Sequence, residues 1–147
     1  MLMNNKMKLE FLSLSENERF ARCSVSAFAS QLNPTLDELE DIKAAVSEAV
    51  TNAIIHAYAD TIGTVCVACT LSEQTIEIKI SDQGCGIEDI SLARTPLYTG
   101  STDSERSGLG FTVMETFMDE ISVESTLNSG TTVTMIKKIN SASPSGL

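Results

Sequence analysis

The sequence predicts an α+β fold: a two-layer sandwich in which helices cover one face of a mixed, mostly antiparallel sheet. Three observations lead there. Apolar residues recur at helical spacing after Ser15, from Thr35 to about Tyr58 and from Gly108 to Met118. The remaining apolar runs alternate in strand fashion and follow one another as hairpins, without the βαβα order of a parallel sheet. A chain of 147 residues, 42% of them apolar, can bury one core but not two ordinary ones. Residues 1–139 are therefore expected to form a single domain, and the Ser-rich stretch 140–147 a disordered tail.

Taken in order, Met7–Leu14 alternates well enough for a strand. Ser15-Glu16-Asn17-Glu18 has the form of a capping box, with Leu14 in the staple position, and Phe20, Cys23, Ala27, Phe28 and Leu32 follow at helical spacing. Pro34 ends that helix. Thr35-Leu36-Asp37-Glu38 is a second capping box, opening a long helix whose apolar side carries Leu39, Ile42, Val46, Val50, Ala53 and Ala57. Thr64–Leu71 and Thr75–Ser81 read as a hairpin with Ile76, Ile78 and Ile80 on its buried face. A Gly-rich turn (82–86) and a short amphipathic piece near 87–93 come next. Periodicity then fails from Arg94 to Ser107, and a loop of that length in a compact domain is usually functional or mobile. Gly108–Met118 reads as a helix using Leu109, Val113 and Phe117, and Glu120–Ser125 and Thr131–Ile139 as the last two strands.

Composition narrows the function. Ten Lys and Arg against twenty Asp and Glu give a net charge of −10, which repels a phosphate backbone and argues against nucleic acid as a direct partner. Phosphate bound by such a chain must be held by backbone N–H groups, a metal ion and a few placed side chains. No apolar run reaches the length of a membrane span, and the N-terminal residues lack the apolar stretch of a secretory signal, so a cytoplasmic protein with no membrane partner is expected. The cysteines, Cys23, Cys66, Cys69 and Cys85, are then expected to be reduced thiols. Cys66 and Cys69 form a CxxC, but residues three apart on a strand point to opposite faces, a poor arrangement for sharing a metal.

Four features are candidates for chemistry. Glu48 and Asn52 stack one turn apart on the long helix, and His56 extends the stripe along the border of the apolar arc. A solvated helix edge has the same pattern. Asp82-Gln83-Gly84-Cys85-Gly86-Ile87 leaves a strand with an acid and two glycines, which either lets backbone approach a ligand or simply makes a tight turn. Ser107-Gly108-Leu109-Gly110-Phe111 opens a helix, where N–H groups and the helix dipole favour an anion, as any helix-entry loop can. Gly130-Thr131-Thr132 enters the last strand with two hydroxyls. No GxxxxGK[ST] loop and no strand–GxGxxG–helix unit is present.

The order of these features, ExxxN on a helix, DxGxGI after a hairpin, a long loop, GLG opening a helix and GTT on a last strand, resembles the Bergerat-type ATP-binding domain of the GHKL superfamily across about residues 9–139. Within it, the segments 11–22, 46–58 and 105–111 resemble the anti-sigma serine-kinase family of endospore-forming bacteria. The resemblance implies a homodimeric protein serine/threonine kinase. It would use ATP and Mg²⁺, bind and inhibit a sporulation sigma factor (sigma F), and phosphorylate a serine of the anti-anti-sigma factor. By position it implies that Asn52 ligates Mg²⁺ and that Glu48 is the general base. Asp82 would bond the adenine amino group, with Gly84, Gly86 and Ile87 shaping the pocket and Thr132 near the base. Ser107, Gly108 and Gly110 would line the phosphates, Arg106 would reach the γ-phosphate, and Thr99 would lie in the lid over the nucleotide. Arg22, on the first helix, occupies a position the family uses for partner contact.

The chemistry is consistent with that assignment. Phosphoryl transfer needs mainly positioning and neutralisation of oxygen charge, and Asn52 is the neutral oxygen ligand that Mg²⁺ tolerates. Two departures stand out: Gly100 follows Thr99 where the family commonly has lysine, and Ala57 stands where glycine is common. Rival readings are an anti-sigma kinase for a stress-response sigma factor, or an ATP-dependent sigma-binding module without catalysis. A histidine kinase would need an acceptor histidine on a separate helix, and the only histidine is His56 inside the motif helix. A gyrase-type ATPase would be expected to carry transducer domains.

Overall fold

The computed structural model describes residues 4–87, 89–90, 94 and 110–140. Strands β1 (Asn4–Leu12), β2 (Thr64–Ser72), β3 (Thr75–Asp82), β4 (Glu120–Thr126) and β5 (Gly130–Lys138) form one five-stranded sheet in the order β1-β2-β3-β5-β4. Every neighbouring pair is antiparallel, so the sheet is not mixed as expected. Helices α1 (Glu16–Ala29), α2 (Leu36–Asn52) and α3 (Phe111–Phe117) complete the α+β architecture. Alternation settles which sheet face they cover. Val65, Val67, Cys69 and Leu71 of β2, Ile76, Ile78 and Ile80 of β3, and Val133 and Met135 of β5 are buried, while their sequence neighbours are more open. Cys66 and Cys69 do face opposite ways, and burial pushes the Cys69 thiol up to about 12.

The two capping boxes fare differently. At Thr35 the hydroxyl accepts from Glu38 N (3.1 Å), while Glu38 Oε1 accepts from Thr35 N (2.9 Å). At Ser15 no such cap forms: Ser15 has helical dihedrals, and Glu18 turns forward to Arg22 Nε at 2.9 Å. An i,i+4 ion pair has taken the side chain that the box required. Strand β1 also ends at Leu12, two residues before Leu14, because Ser13 is drawn into the layer. Its N–H donates to Gly63 O (2.9 Å) and its hydroxyl accepts from Gly63 N (3.0 Å).

Two helix faces differ from expectation. The buried side of α1 is small (Ala21, Val25, Ser26, Ala29) and leads to Leu32, whereas Cys23 and Ala27 are exposed. Phe20 is 52% exposed and meets Phe11 edge-on at 6.5 Å, so the aromatic ring serves the rim rather than the core. In α3 the buried residues are Phe111 and Met114, followed by Met118, with Val113 and Phe117 only half-buried. Lys137 Nζ donates to Phe117 O at the end of α3 (2.7 Å) and lies 3.6 Å from Asp41 Oδ2 of α2. A buried cation at a helix C-terminus complements the exposed carbonyls there.

Most of the piece expected near 87–93, the loop 95–107, Leu109 and the tail from 141 lie outside the described residues. Among the described residues, no helix is long and apolar enough to cross a membrane. The contrast between the two capping boxes is testable by urea unfolding. Thr35→Ala should cost about 1 kcal/mol, and Ser15→Ala should stay within about 0.5 kcal/mol.

Candidate functional site

The long helix does not stay α-helical. After Asn52 it continues as one π turn, Ala53–Ala57, ending at Tyr58. A π turn advances less per residue around the axis, so His56 is set back from the stripe of Glu48 and Asn52. The wider turn brings backbone to the Gly-rich loop. Ala57 O accepts from Cys85 N at 3.1 Å, and His56 O accepts from Cys85 Sγ at 3.3 Å. A Cβ at Gly84 would collide with Ala57 O, and Ala57 Cβ would stand 2.6 Å away. Glycine is needed there for close approach. Tyr58 fastens the same junction: its hydroxyl donates to Thr64 O (2.9 Å) and accepts from Gln83 N (2.6 Å).

Asp82 lies on the helix-covered side of β3, in step with Ile76, Ile78 and Ile80. Its Oδ1 accepts from Gly84 N (2.9 Å) and Thr131 N (3.2 Å), which leaves Oδ2 to accept from an incoming donor. Burial raises the Asp82 pKa above the ordinary carboxylate value, against the lowering effect of the bonds from Gly84 and Thr131. Gly86 (φ +76°) lies over Thr126 O, and Ile87 N donates to Ser125 Oγ at 2.7 Å. The loop is thus held from below by the end of α2 and from above by the β4–β5 turn.

Gly110 joins the site from the other side. It caps α3 in the left-handed region (φ +70°), and a Cβ there would strike the carboxylate of Glu48 and approach Glu48 Cβ to 3.2 Å. Glu48 and the start of α3 are therefore in direct apposition. Asn52 follows Glu48 by one regular helical turn, and its Oδ1 is buried. A neutral amide oxygen near a carboxylate is a hard-oxygen donor set of the kind Mg²⁺ takes, with phosphate and water completing its shell.

Strand alternation corrects one expectation. Thr132 pairs with Ser81 on the sheet face opposite Asp82, its hydroxyl 3.3 Å from Ser81 Oγ, so its side chain does not join Asp82. Thr131 is the residue of that turn facing Asp82. The parity was readable, since Val133 and Ile80 share the core face and Thr131 is two residues from Val133. Tyr58 and Ser125 escaped the sequence reading because each acts through a backbone partner distant in sequence. The structure sets Gly110 against Glu48, one helical turn from Asn52, and Gly84 against Ala57 beyond the end of that helix, with Asp82, Gly86 and Ile87 in the same Gly-rich segment as Gly84. Arg22 lies apart on α1, paired with Glu18. Thr99, Arg106, Ser107 and Gly108 lie outside the described residues.

Comparison with known proteins places the chain among relatives of shared sequence and fold. The Histidine kinase-like ATPase domain family matches residues 11–137. An anti-sigma F factor of Clostridium novyi (strain NT) is 59% identical over 138 residues, covering 93% of this chain and 96% of the relative. An anti-sigma F factor of Caldanaerobacter subterraneus subsp. tengcongensis is 55% identical over 136 residues, covering 92% of this chain and 95% of the relative. Among solved structures, the RsbU and RsbW domains of Rv1364c from Mycobacterium tuberculosis match with a TM-score of 0.66 at 20% identity, over 92% of this chain and 32% of that one. The catalytic domain of histidine kinase ThkA matches with a TM-score of 0.56 at 17% identity, over 90% of this chain and 98% of that one. The solved structures speak for the fold alone, and the family match identifies it as a histidine kinase-like ATPase domain. With relatives more than half identical over nearly their whole length, the chain belongs to the anti-sigma F factor family of histidine kinase-like ATPase domains.

Proposed function

We propose that this chain is an ATP-dependent anti-sigma factor that holds a sporulation sigma factor as a homodimer and phosphorylates a serine of an anti-anti-sigma factor in the cytoplasm. The observation that carries the reading is the apposition of Glu48 with Gly110, one helical turn from Asn52 and at the end of α2 that abuts the Asp82 loop. An acid able to take a proton, an oxygen ligand and a base-recognising carboxylate then border one cleft. That its relatives are anti-sigma F factors supports the sigma-factor role.

In this reading Asp82 Oδ2 accepts from the adenine amino group, with Oδ1 kept in place by Gly84 and Thr131. Gly84, Gly86 and Ile87 shape the base pocket, and Thr99 covers the nucleotide. Asn52 would hold Mg²⁺, which when bound neutralises charge on the phosphate oxygens. Ser107, Gly108 and Gly110 line the phosphates, and Arg106 meets the γ-phosphate, where a placed guanidinium stabilises charge in transfer. The serine hydroxyl oxygen forms a bond to the γ-phosphorus as the bond to the β–γ bridging oxygen breaks. The hydroxyl proton passes to Glu48, and ADP leaves. Arg22, held at 2.9 Å by Glu18, presents its guanidinium from α1 to a protein partner.

Labelled ATP mixed with the protein and an anti-anti-sigma factor tests the catalytic part: label on an antagonist serine is expected, and free phosphate alone would mean a hydrolase. Glu48→Gln should reduce transfer at least about 100-fold while nucleotide binding persists; wild-type transfer would remove the base assignment. Arg22→Glu should weaken binding of sigma factor or antagonist on the order of tenfold in a pull-down titration, and unchanged binding would leave Arg22 an ordinary surface residue.

The raised Asp82 pKa gives a pH dependence. Its ionised form costs stability above the folded pKa, and that cost disappears below the ordinary carboxylate value. An amino donor favours the ionised form, so ATP affinity should fall as pH drops through the raised Asp82 pKa. Asp82→Asn should bind more weakly and lose that component, as measured by the difference between wild-type and variant affinities across acidic pH. Parallel curves would refute it.

A further inference from the structure

Besides Tyr58, the loop of Asp82 is held by a second hydroxyl that neither the sequence motifs nor the family match assigns. Ser125 lies on the core-facing side of β4, opposite Thr131 in the ladder. Its oxygen is 2.7 Å from Ile87 N, 2.8 Å from Thr131 Oγ1 and 3.1 Å from Gly130 O. A serine hydroxyl has one proton and two lone pairs. Donation to Gly130 O, with acceptance from Ile87 N–H and the Thr131 hydroxyl, uses all three. Thr131 N is in turn one of the two donors on Asp82 Oδ1. The same turn reaches the loop again where Asn128 N donates to Cys85 O at 2.7 Å. Gly130 (φ +108°) sits so close to Asp82 that a Cβ would strike Asp82 O.

We propose that Ser125 is a positioning residue for purine selection: through Thr131 and Ile87 it sets the orientation of Asp82 and of the loop beneath the base, favouring a base with an exocyclic amino donor over one with a carbonyl there. This deepens the reading that Asp82 accepts from adenine and rests on it. Ser125 touches no nucleotide in this account. Its effect is carried by two backbone groups, Ile87 N and Gly130 O, and by the hydroxyl of Thr131, whose own N–H bonds Asp82. Removing the hydroxyl leaves Ile87 N–H and the Gly130 carbonyl without their partner, and both belong to the frame that aims Asp82 Oδ2. A carboxylate that tilts loses a directional bond to an amino group but has none to lose with guanine, whose corresponding position carries an acceptor.

The test compares ATP and GTP binding by displacement of a fluorescent nucleotide for wild type, Ser125→Ala, Ser125→Thr and Asp82→Asn, with a melting curve for each. Expected for Ser125→Ala is an ATP Kd raised about fivefold to tenfold, a GTP Kd unchanged within error, and a preserved cooperative melt. Ser125→Thr, which keeps the hydroxyl, should restore the ATP/GTP ratio. Amide exchange at Ile87 should quicken in Ser125→Ala alone. If ATP and GTP weaken by the same factor, or neither changes, Ser125 is only a structural residue and the proposal falls. If wild type prefers ATP and Asp82→Asn abolishes that preference, the adenine reading survives such a failure. If wild type binds both nucleotides alike, the adenine reading and the Ser125 role fall together. Should Ser125→Ala not fold, Ser125→Cys replaces it, with a weaker acceptor and the same expected direction.

Discussion

The site depends on how closely separate stretches of backbone approach the end of α2. No Cβ fits at Gly84, where the loop meets Ala57 O, and at Gly110, whose φ of +70° already favours glycine, a Cβ would push the Glu48 carboxylate aside. These contacts leave no side-chain layer between the elements, so the Gly-rich loop and the start of α3 both lie directly on the long helix and its π turn. Interiors packed to this density transmit small displacements instead of absorbing them. The π turn is part of the same constraint. It widens the last helical turn so that Ala57 O and His56 O face the loop, in a helix whose earlier turns are regular. Such turns recur at functional sites because they aim groups that a regular helix would not.

Asp82 shows how the fold divides one carboxylate between two tasks. One oxygen is committed internally to Gly84 and Thr131, which fixes the plane of the group. The other is held ready at a half-desolvated position, where a hydrogen bond counts for more than in water.

Much of this was legible in the sequence. The β2–β3 hairpin, the Thr35 cap and the succession of strands follow from period, turn and cap chemistry, which are local. The family followed from the order of four motifs, each ambiguous alone. What could not be read was decided by tertiary competition. Glu18 chose Arg22 over the Ser15 backbone. Phe20, with more apolar surface than any residue on the buried face of α1, went to the rim because small side chains form that face. Thr132 was misplaced by one residue, the single step that exchanges the faces of a strand. Ser125 and Tyr58 were invisible because their partners are main-chain atoms 38 and 25 residues away.

Lys137 has a mechanical consequence. A seven-residue helix is too short to persist unaided in water. Helix α3 persists because Phe111 and Met114 are buried in the core and both tips are held: Gly110 bears on Glu48, and Phe117 O is hooked by a lysine that also leans on Asp41 of α2. A strut pinned this way has little freedom to slide or fray independently. Whatever pushes on its near tip must also strain the ammonium clasp at the far one, which makes a residue remote from the cleft part of its stiffness.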